Sequence, residues 1–297
     1  MKIDGVFSGG GVKAFAFLGA LESIEENGLE FERVAGTSAG AMVASFLAAG
    51  YKHVEISEML QEMELKSFLD PPRLSRIIPA SKWLLLYFQL GLYKGDKLEK
   101  WLKEQLAAKN IHTFYDLKPG YLKVIISDLS LGKLVVLPDD LERLYDIDPN
   151  EFSVAAAVRM SAGFPYFFMP KKLAGRTGQK SIIVDGGLLS NFPLWVFSQD
   201  GSRNRRPVLG VRLTKSMEKF GKPRDINNAF DMFHALFLTM KEAHDARYIS
   251  KSQKSNIIFI PVGDVDATDF HLSEGTKQAL IQTGRDYANT FLQYWPK

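Results

Sequence analysis

Apolar and polar positions follow two periods along this chain. Ile3 to Ser8 is a short apolar run entering a string of glycines, the pattern of a buried strand. Val12 to Asn27 follows, with Phe15, Leu18, Leu21 and Ile24 near helical spacing and Gly28 as the stop. Arg33 to Ala35 predicts a second short strand. Ala41 to Ala49 predicts a buried helix of small and apolar residues, ended by Gly50. Strand, helix, strand, helix in that order predicts a parallel sheet with helices on both faces.

Farther along, the pattern predicts helices over Val54 to Leu69, Ser153 to Met160, Ile226 to Ser250 and Ser273 to Tyr294. A further helix is predicted over Asp96 to Lys109, with Asp96 as its N-cap. Strands are predicted at Leu122 to Ser127, Leu134 to Leu137, Ser181 to Val184, Val208 to Leu213 and Ile257 to Val262. The basic loop Gly201 to Arg206 and the segment Lys215 to Arg224 read as exposed turns, too short for domain linkers. The reading is one α/β domain over residues 1–297, with a mostly helical excursion at about residues 51–115.

Composition narrows the function classes. At 297 residues the chain buries a substantial core, and 46% hydrophobic with 24% charged residues is ordinary for a soluble protein. A net charge of +3, from 37 basic and 34 acidic residues, is too weak to argue for nucleic acid, though it permits contact with an anionic membrane. The absence of cysteine excludes disulfides and thiolate metal sites, and fits a reducing cytoplasm. The start, MKIDGVFSGGG, has no apolar core of signal-peptide length. The most apolar run, Trp83 to Tyr93, falls short of the ~20 residues of a spanning helix. The expectation is a cytoplasmic protein, soluble or peripheral on a membrane. No histidine or carboxylate cluster points to a metal, and no cofactor is expected.

Three motifs carry candidate chemistry. Gly36-Thr37-Ser38-Ala39-Gly40 matches G-x-S-x-G, in which small neighbours let the backbone fold sharply under a serine and expose its oxygen. Gly9-Gly10-Gly11-Val12-Lys13 lies between a strand and a helix, where successive N–H groups bind an oxyanion. Gly9, Gly11 and Ala14 also satisfy the dinucleotide fingerprint G-x-G-x-x-A. That fingerprint expects an acidic residue ending the second strand, and Gly36-Thr37-Ser38 stands there instead. Third, a buried strand ends in Asp185-Gly186-Gly187. Chemistry gathers outside the carboxyl ends of parallel strands, which makes Asp185 a candidate partner for Ser38. Asp128 has the same placement after another strand, and spacing does not choose between them. None of the histidines, His53, His112, His234, His244 and His271, sits in a local signature.

Together these residues resemble the patatin-like phospholipase family. The resemblance rests on GGGVK at Gly9 to Lys13, GTSAG at Gly36 to Gly40 and DGG at Asp185 to Gly187. Softer echoes are Ser127-Asp128-Leu129, Ala157 to Ser161 followed by Pro165, and Asn191-Phe192-Pro193. The resemblance implies a three-layer α/β/α sandwich with a mainly parallel central sheet. It also implies a serine–aspartate dyad without histidine. Ser38 would be the nucleophile, Asp185 its partner, and Gly9, Gly10 and Gly11 the oxyanion hole, with Lys13, Gly36, Gly40 and Gly186 in support. Lys13 and Ala14 stand where the family often has arginine and glycine.

The function so implied is hydrolysis of an acyl ester of a phospholipid or related lipid, at a membrane surface, through an acyl-enzyme. Rival readings are an acyltransferase, a Ser-His-Asp α/β-hydrolase using a histidine such as His271, a nucleotide-binding protein using Gly9 to Ala14, and a silent lipid-binding module. Trp83 to Tyr93 and Phe164 to Met169 are expected either to receive acyl chains or touch the bilayer, or to be plain core.

Overall fold

The computed structural model describes residues 1–72, 86–175, 178, 180–197, 206–214, 226–248, 254–263 and 265–296. In chain order the first elements are β1 (Lys2–Phe7), α1 (Phe15–Glu26), β2 (Glu30–Thr37), α2 (Ala39–Ala48) and α3 (His53–Glu62). Then come β3 (Gly91–Tyr93), α4 (Asp96–Ala107), β4 (Leu122–Asp128), β5 (Lys133–Leu137), α5 (Leu141–Tyr145) and α6 (Val154–Ser161). The chain continues with β6 (Tyr166–Phe168), β7 (Lys171–Ala174), β8 (Lys180–Asp185), β9 (Val208–Thr214), α7 (Ala229–Tyr248), β10 (Ile257–Pro261) and α8 (Glu274–Leu292).

The main sheet runs β10-β9-β1-β2-β4-β8-β7, with β5 also on β4. From β10 to β4 every neighbour is parallel, whereas β5 and β8 lie antiparallel to β4, and β7 antiparallel to β8. β4 has only two edges. β5 pairs along Val124 to Asp128 and so occupies one edge over that whole length. The other edge is shared: β2 takes it up to Ile125, opposite Thr37, and β8 takes it from Ile126, opposite Asp185. The carboxyl ends of β2 and β8 therefore meet head-on along one edge of β4. The sequence pattern predicts Asp185 at the end of a parallel strand. The structure corrects this: the strand is antiparallel, and that reversal points its end at the end of β2.

Alternate residues of β1 and β2 feed two cores. Ile3, Phe7 and Val34 join the large core that holds the buried faces of α1, α2 and α8, while Val6 and Ala35 pack with Phe192, Leu194 and Phe197 on the other side. The result is a three-layer α/β/α sandwich with a mainly parallel sheet. α1 crosses α8 where both lack side chains: an added Cβ at Gly19 would run into the Ile281 carbonyl oxygen, and one at Gly284 into that of Ala16.

Local differences from the sequence pattern have local causes. The helix predicted to reach Leu69 ends at Glu62, because Met63 turns extended and a 3₁₀ turn over Leu65–Phe68 buries Leu65 and Phe68 instead. Asp96 is not the N-cap of α4. Gly95 holds that position in the left-handed region, and the distant Asp70 carboxylate accepts the N–H groups of Gly95, Asp96 and Lys97 at 2.6, 2.9 and 3.1 Å. The stretch around residue 90 contains β3, which pairs with β6 from the aromatic run after Phe164. The loop from Gly201 reaches the described residues only at Arg206, and the whole segment from Lys215 to Arg224, like Trp83, lies outside them. Among the described residues no helix is long and apolar enough to cross a membrane.

Candidate active site

Ser38 stands between β2 and α2 with φ 55° and ψ −125°, a region that side chains avoid. The strain is held by contacts that only small residues permit. A Cβ at Gly36 would run into the Gly40 carbonyl, and one at Gly40 into the carbonyls of Phe7 and Ser8. Ser161, fully buried at the end of α6, fixes the turn from below. Its hydroxyl accepts the Ser38 N–H at 2.8 Å and donates to the Ile125 carbonyl at 2.6 Å. The Ser38 side chain remains half-exposed, facing a cavity.

Asp185 is 3% exposed; its carboxylate accepts the Gly187 N–H at 2.7 Å and lines the same cavity as Ser38, whose hydroxyl is close enough to favour its charged form. Burial pushes its pKa up to about 6. The nearby Ser38 hydroxyl, the Gly187 N–H and the positive charge of Lys241 pull the other way. Gly186 allows the approach, since a Cβ there would run into the Ile125 carbonyl. Asp128 is equally buried but differently occupied. It accepts the Tyr145 hydroxyl at 2.7 Å and the Leu131 N–H at 2.9 Å, and does not line the cavity.

The glycine string divides. The Gly9 N–H donates to the Asn191 carbonyl at 2.9 Å, and the Asn191 amide returns a bond to the Gly9 carbonyl at 3.4 Å. Gly10 and Gly11 line the cavity, and their N–H groups make no hydrogen bond among the described residues. Lys13 is half-buried and outside the cavity lining.

The rest of the cavity is apolar. Phe164, Phe167 and Phe168 line it, with Phe237 of α7 against Phe164 (ring centroids 4.8 Å apart) and Phe270 stacked on Phe167 at 5.2 Å. The run from Phe164 thus supplies both core and cavity wall, while Tyr87 and Phe88 of the earlier apolar run are exposed. Among the described residues no histidine lines the cavity: His53 contacts Glu25 at 2.8 Å, and His112 and His271 are exposed. The His234 and His244 side chains lie outside the description. The nucleotide reading of Gly9 to Ala14 meets a direct obstacle, since Asn191 engages Gly9 and β2 ends at Thr37 without a carboxylate.

Sequence reasoning missed Asn191 and Ser161 as site residues, though both fall in stretches already noted. It missed Lys241 entirely. Lys241 lines the cavity from α7, and its only sequence signal is its place four residues after Phe237.

Comparison with known proteins agrees with this fold. A family model described as patatin-like phospholipase matches residues 5–198. The uncharacterized protein YqhO of Bacillus subtilis is 50% identical over 295 residues, 99% of each chain. Triacylglycerol lipase ptl3 of Schizosaccharomyces pombe is 29% identical over 66% of this chain and 39% of its own. Among solved structures, VipD from Legionella pneumophila shares the fold with a TM-score of 0.58 at 20% identity, over 98% of this chain and 66% of that one. The chain belongs to the patatin-like phospholipase family.

Proposed function

We propose that this protein hydrolyses acyl esters of lipids through a Ser38–Asp185 dyad. The observation that carries the reading is a strained serine hydroxyl that shares one cavity with a buried carboxylate and favours its charged form. Asp185 takes the Ser38 proton as the serine oxygen attacks the ester carbonyl, then gives it to the leaving alcohol. Water enters next. Asp185 takes its proton, the hydroxide oxygen bonds the acyl carbon, and the proton returns to Ser38 Oγ as the acid leaves.

A carboxylate at the usual 3.8 is a weak base for serine. The rise to about 6 corresponds to roughly 3 kcal/mol of added proton affinity, yet leaves Asp185 ionised at neutral pH. The remaining help comes from donors aimed at the developing oxyanion. Gly10 and Gly11 have unengaged N–H groups at the cavity. Ala39 adds one at the start of α2, where the helix end also carries positive potential. Gly9 supports them through its clamp with Asn191 rather than by donating to substrate. The aromatic and aliphatic wall accommodates an acyl chain, and the lipase name carried by the fission-yeast relative supports the same substrate class.

The test is release of fatty acid from phosphatidylcholine and of p-nitrophenol from its butyrate ester. Purified wild-type protein turns over at least one of them, and a folded Ser38→Ala variant turns over neither. Equal activity in that variant contradicts the reading.

A further inference from the structure

Resting on the hydrolase reading above, we propose that Lys241 is the specificity-determining residue of the cavity: its ammonium binds the phosphodiester beside the scissile ester of a phospholipid and sets the preference for that lipid over a neutral glyceride.

α7 carries Phe233, Phe237 and Lys241 at successive spacings of four, so all three lie on one stripe of the helix. The two rings anchor that stripe: Phe233 packs on Tyr166 at 4.5 Å between centroids and Phe237 on Phe164 at 4.8 Å. The third position then lines the same cavity as Ser38 and Asp185.

The ammonium of Lys241 makes no hydrogen bond or ion pair among the described residues. Its natural partner one turn on, Asp245, is already engaged by Arg212 at 3.3 Å and by the Phe192 N–H at 3.1 Å. Asp185 accepts the Gly187 N–H and has the Ser38 hydroxyl beside it in the cavity. Three donors on a cation are thus left facing a cavity with mostly apolar walls. Burial lowers the Lys241 pKa to about 8, while Asp185 and Asp245 hold it up, so the group is still charged at neutral pH. Lys241 is half-buried, and a partly desolvated cation without a bonded partner is unfavourable, so a bound anion relieves it.

The ligand's own chemistry selects the anion. In a glycerophospholipid the phosphate is a few bonds from the acyl ester, so a cation in the Ser38 cavity reaches it while the carbonyl sits at the serine. A neutral glyceride brings no anion. A fatty-acid carboxylate carries its charge on the reacting carbon itself, which belongs at Ser38.

Wild type, Lys241→Met and Lys241→Arg are assayed on dihexanoyl phosphatidylcholine and on dihexanoylglycerol, two esters with the same acyl chains. Lys241→Met is expected to lower kcat/KM for the phospholipid about ten- to a hundred-fold more than for the glyceride, chiefly through KM. Lys241→Arg is expected to recover most of the loss. Equal losses on both esters overturn the proposal and leave Lys241 as a counter-charge to Asp185. A binding arm uses Ser38→Ala with and without Lys241→Met, titrated calorimetrically with the phosphatidylcholine and with inorganic phosphate. Weaker phospholipid binding in the double variant supports the proposal. Inorganic phosphate binding as tightly as the lipid points to a free-ion site and overturns it. Should the wild type hydrolyse neither ester while this binding preference persists, the hydrolase reading falls and the anion site stands.

Discussion

Asp128 and Asp185 sit on paired antiparallel strands two rungs apart, Ile126 facing Asp185 and Asp128 facing Ile183. Both end apolar strands, and both are buried. They differ in what holds them. Asp128 accepts the hydroxyl of Tyr145, which does not line the cavity, and a backbone N–H that closes a turn. Asp185 accepts one backbone N–H and lies in the same cavity as the serine hydroxyl that lowers its pKa. The lesson is that burial alone does not make a base. In the proposed mechanism, a carboxylate becomes available for chemistry when one of its neighbours is the reacting group itself.

The sharpest way to break this comparison is to neutralise each carboxylate without changing its shape. Asp185→Asn is expected to lower ester turnover by about a thousand-fold or more, since asparagine cannot take the proton. Asp128→Asn is expected to keep turnover within a few-fold and to lose stability instead. Initial rates on p-nitrophenyl butyrate with parallel urea denaturation check both. A catalytic collapse in Asp128→Asn would reverse the assignment.

The pH dependence comes next in size. In the proposed mechanism Asp185 must be ionised, and burial raises its pKa to about 6, so kcat/KM should be full well above 6 and fall roughly ten-fold per unit below it. Lys241 lowers the Asp185 pKa, so the acid limb of Lys241→Met should move to higher pH. The limb of Asp128→Asn should stay in place. A limb near the ordinary aspartate range would mean that Asp185 is not the titrating group.

Smaller effects separate the two sites by stability. Tyr145→Phe removes a donor from the buried Asp128 and is expected to cost about 1–3 kcal/mol, with turnover little changed, as read by urea denaturation and initial rates. Ser38→Gly relieves the φ of 55° and is expected to be about 1 kcal/mol more stable than Ser38→Ala, with both inactive. A less stable glycine variant would show that the turn is not strained.

The same contrast explains what was legible in the sequence. Ser38 was legible because its strain demands absent side chains at Gly36 and Gly40, and that demand is written locally. The first two strands and helices were legible from their apolar spacing. The choice between Asp128 and Asp185 was not, because it depends on β8 sharing an edge of β4 with β2, a register between segments about sixty residues apart. The Asp70 cap of α4 was hidden for the same reason: a carboxylate 25 residues away replaced the local candidate Asp96. Lys241 was the least legible. A lysine four residues after a phenylalanine reads as ordinary helix surface until α7 is laid against the aromatic wall.

Covalent labelling tests the central claim most directly. A fluorophosphonate probe reacts with a serine only when a neighbouring base activates it, and peptide mass mapping locates the adduct. The account predicts one adduct, on the peptide containing Ser38, formed at similar rates in wild type and Asp128→Asn and abolished or slowed by orders of magnitude in Asp185→Asn. An adduct on another serine, or undiminished labelling of Ser38 in Asp185→Asn, would contradict it.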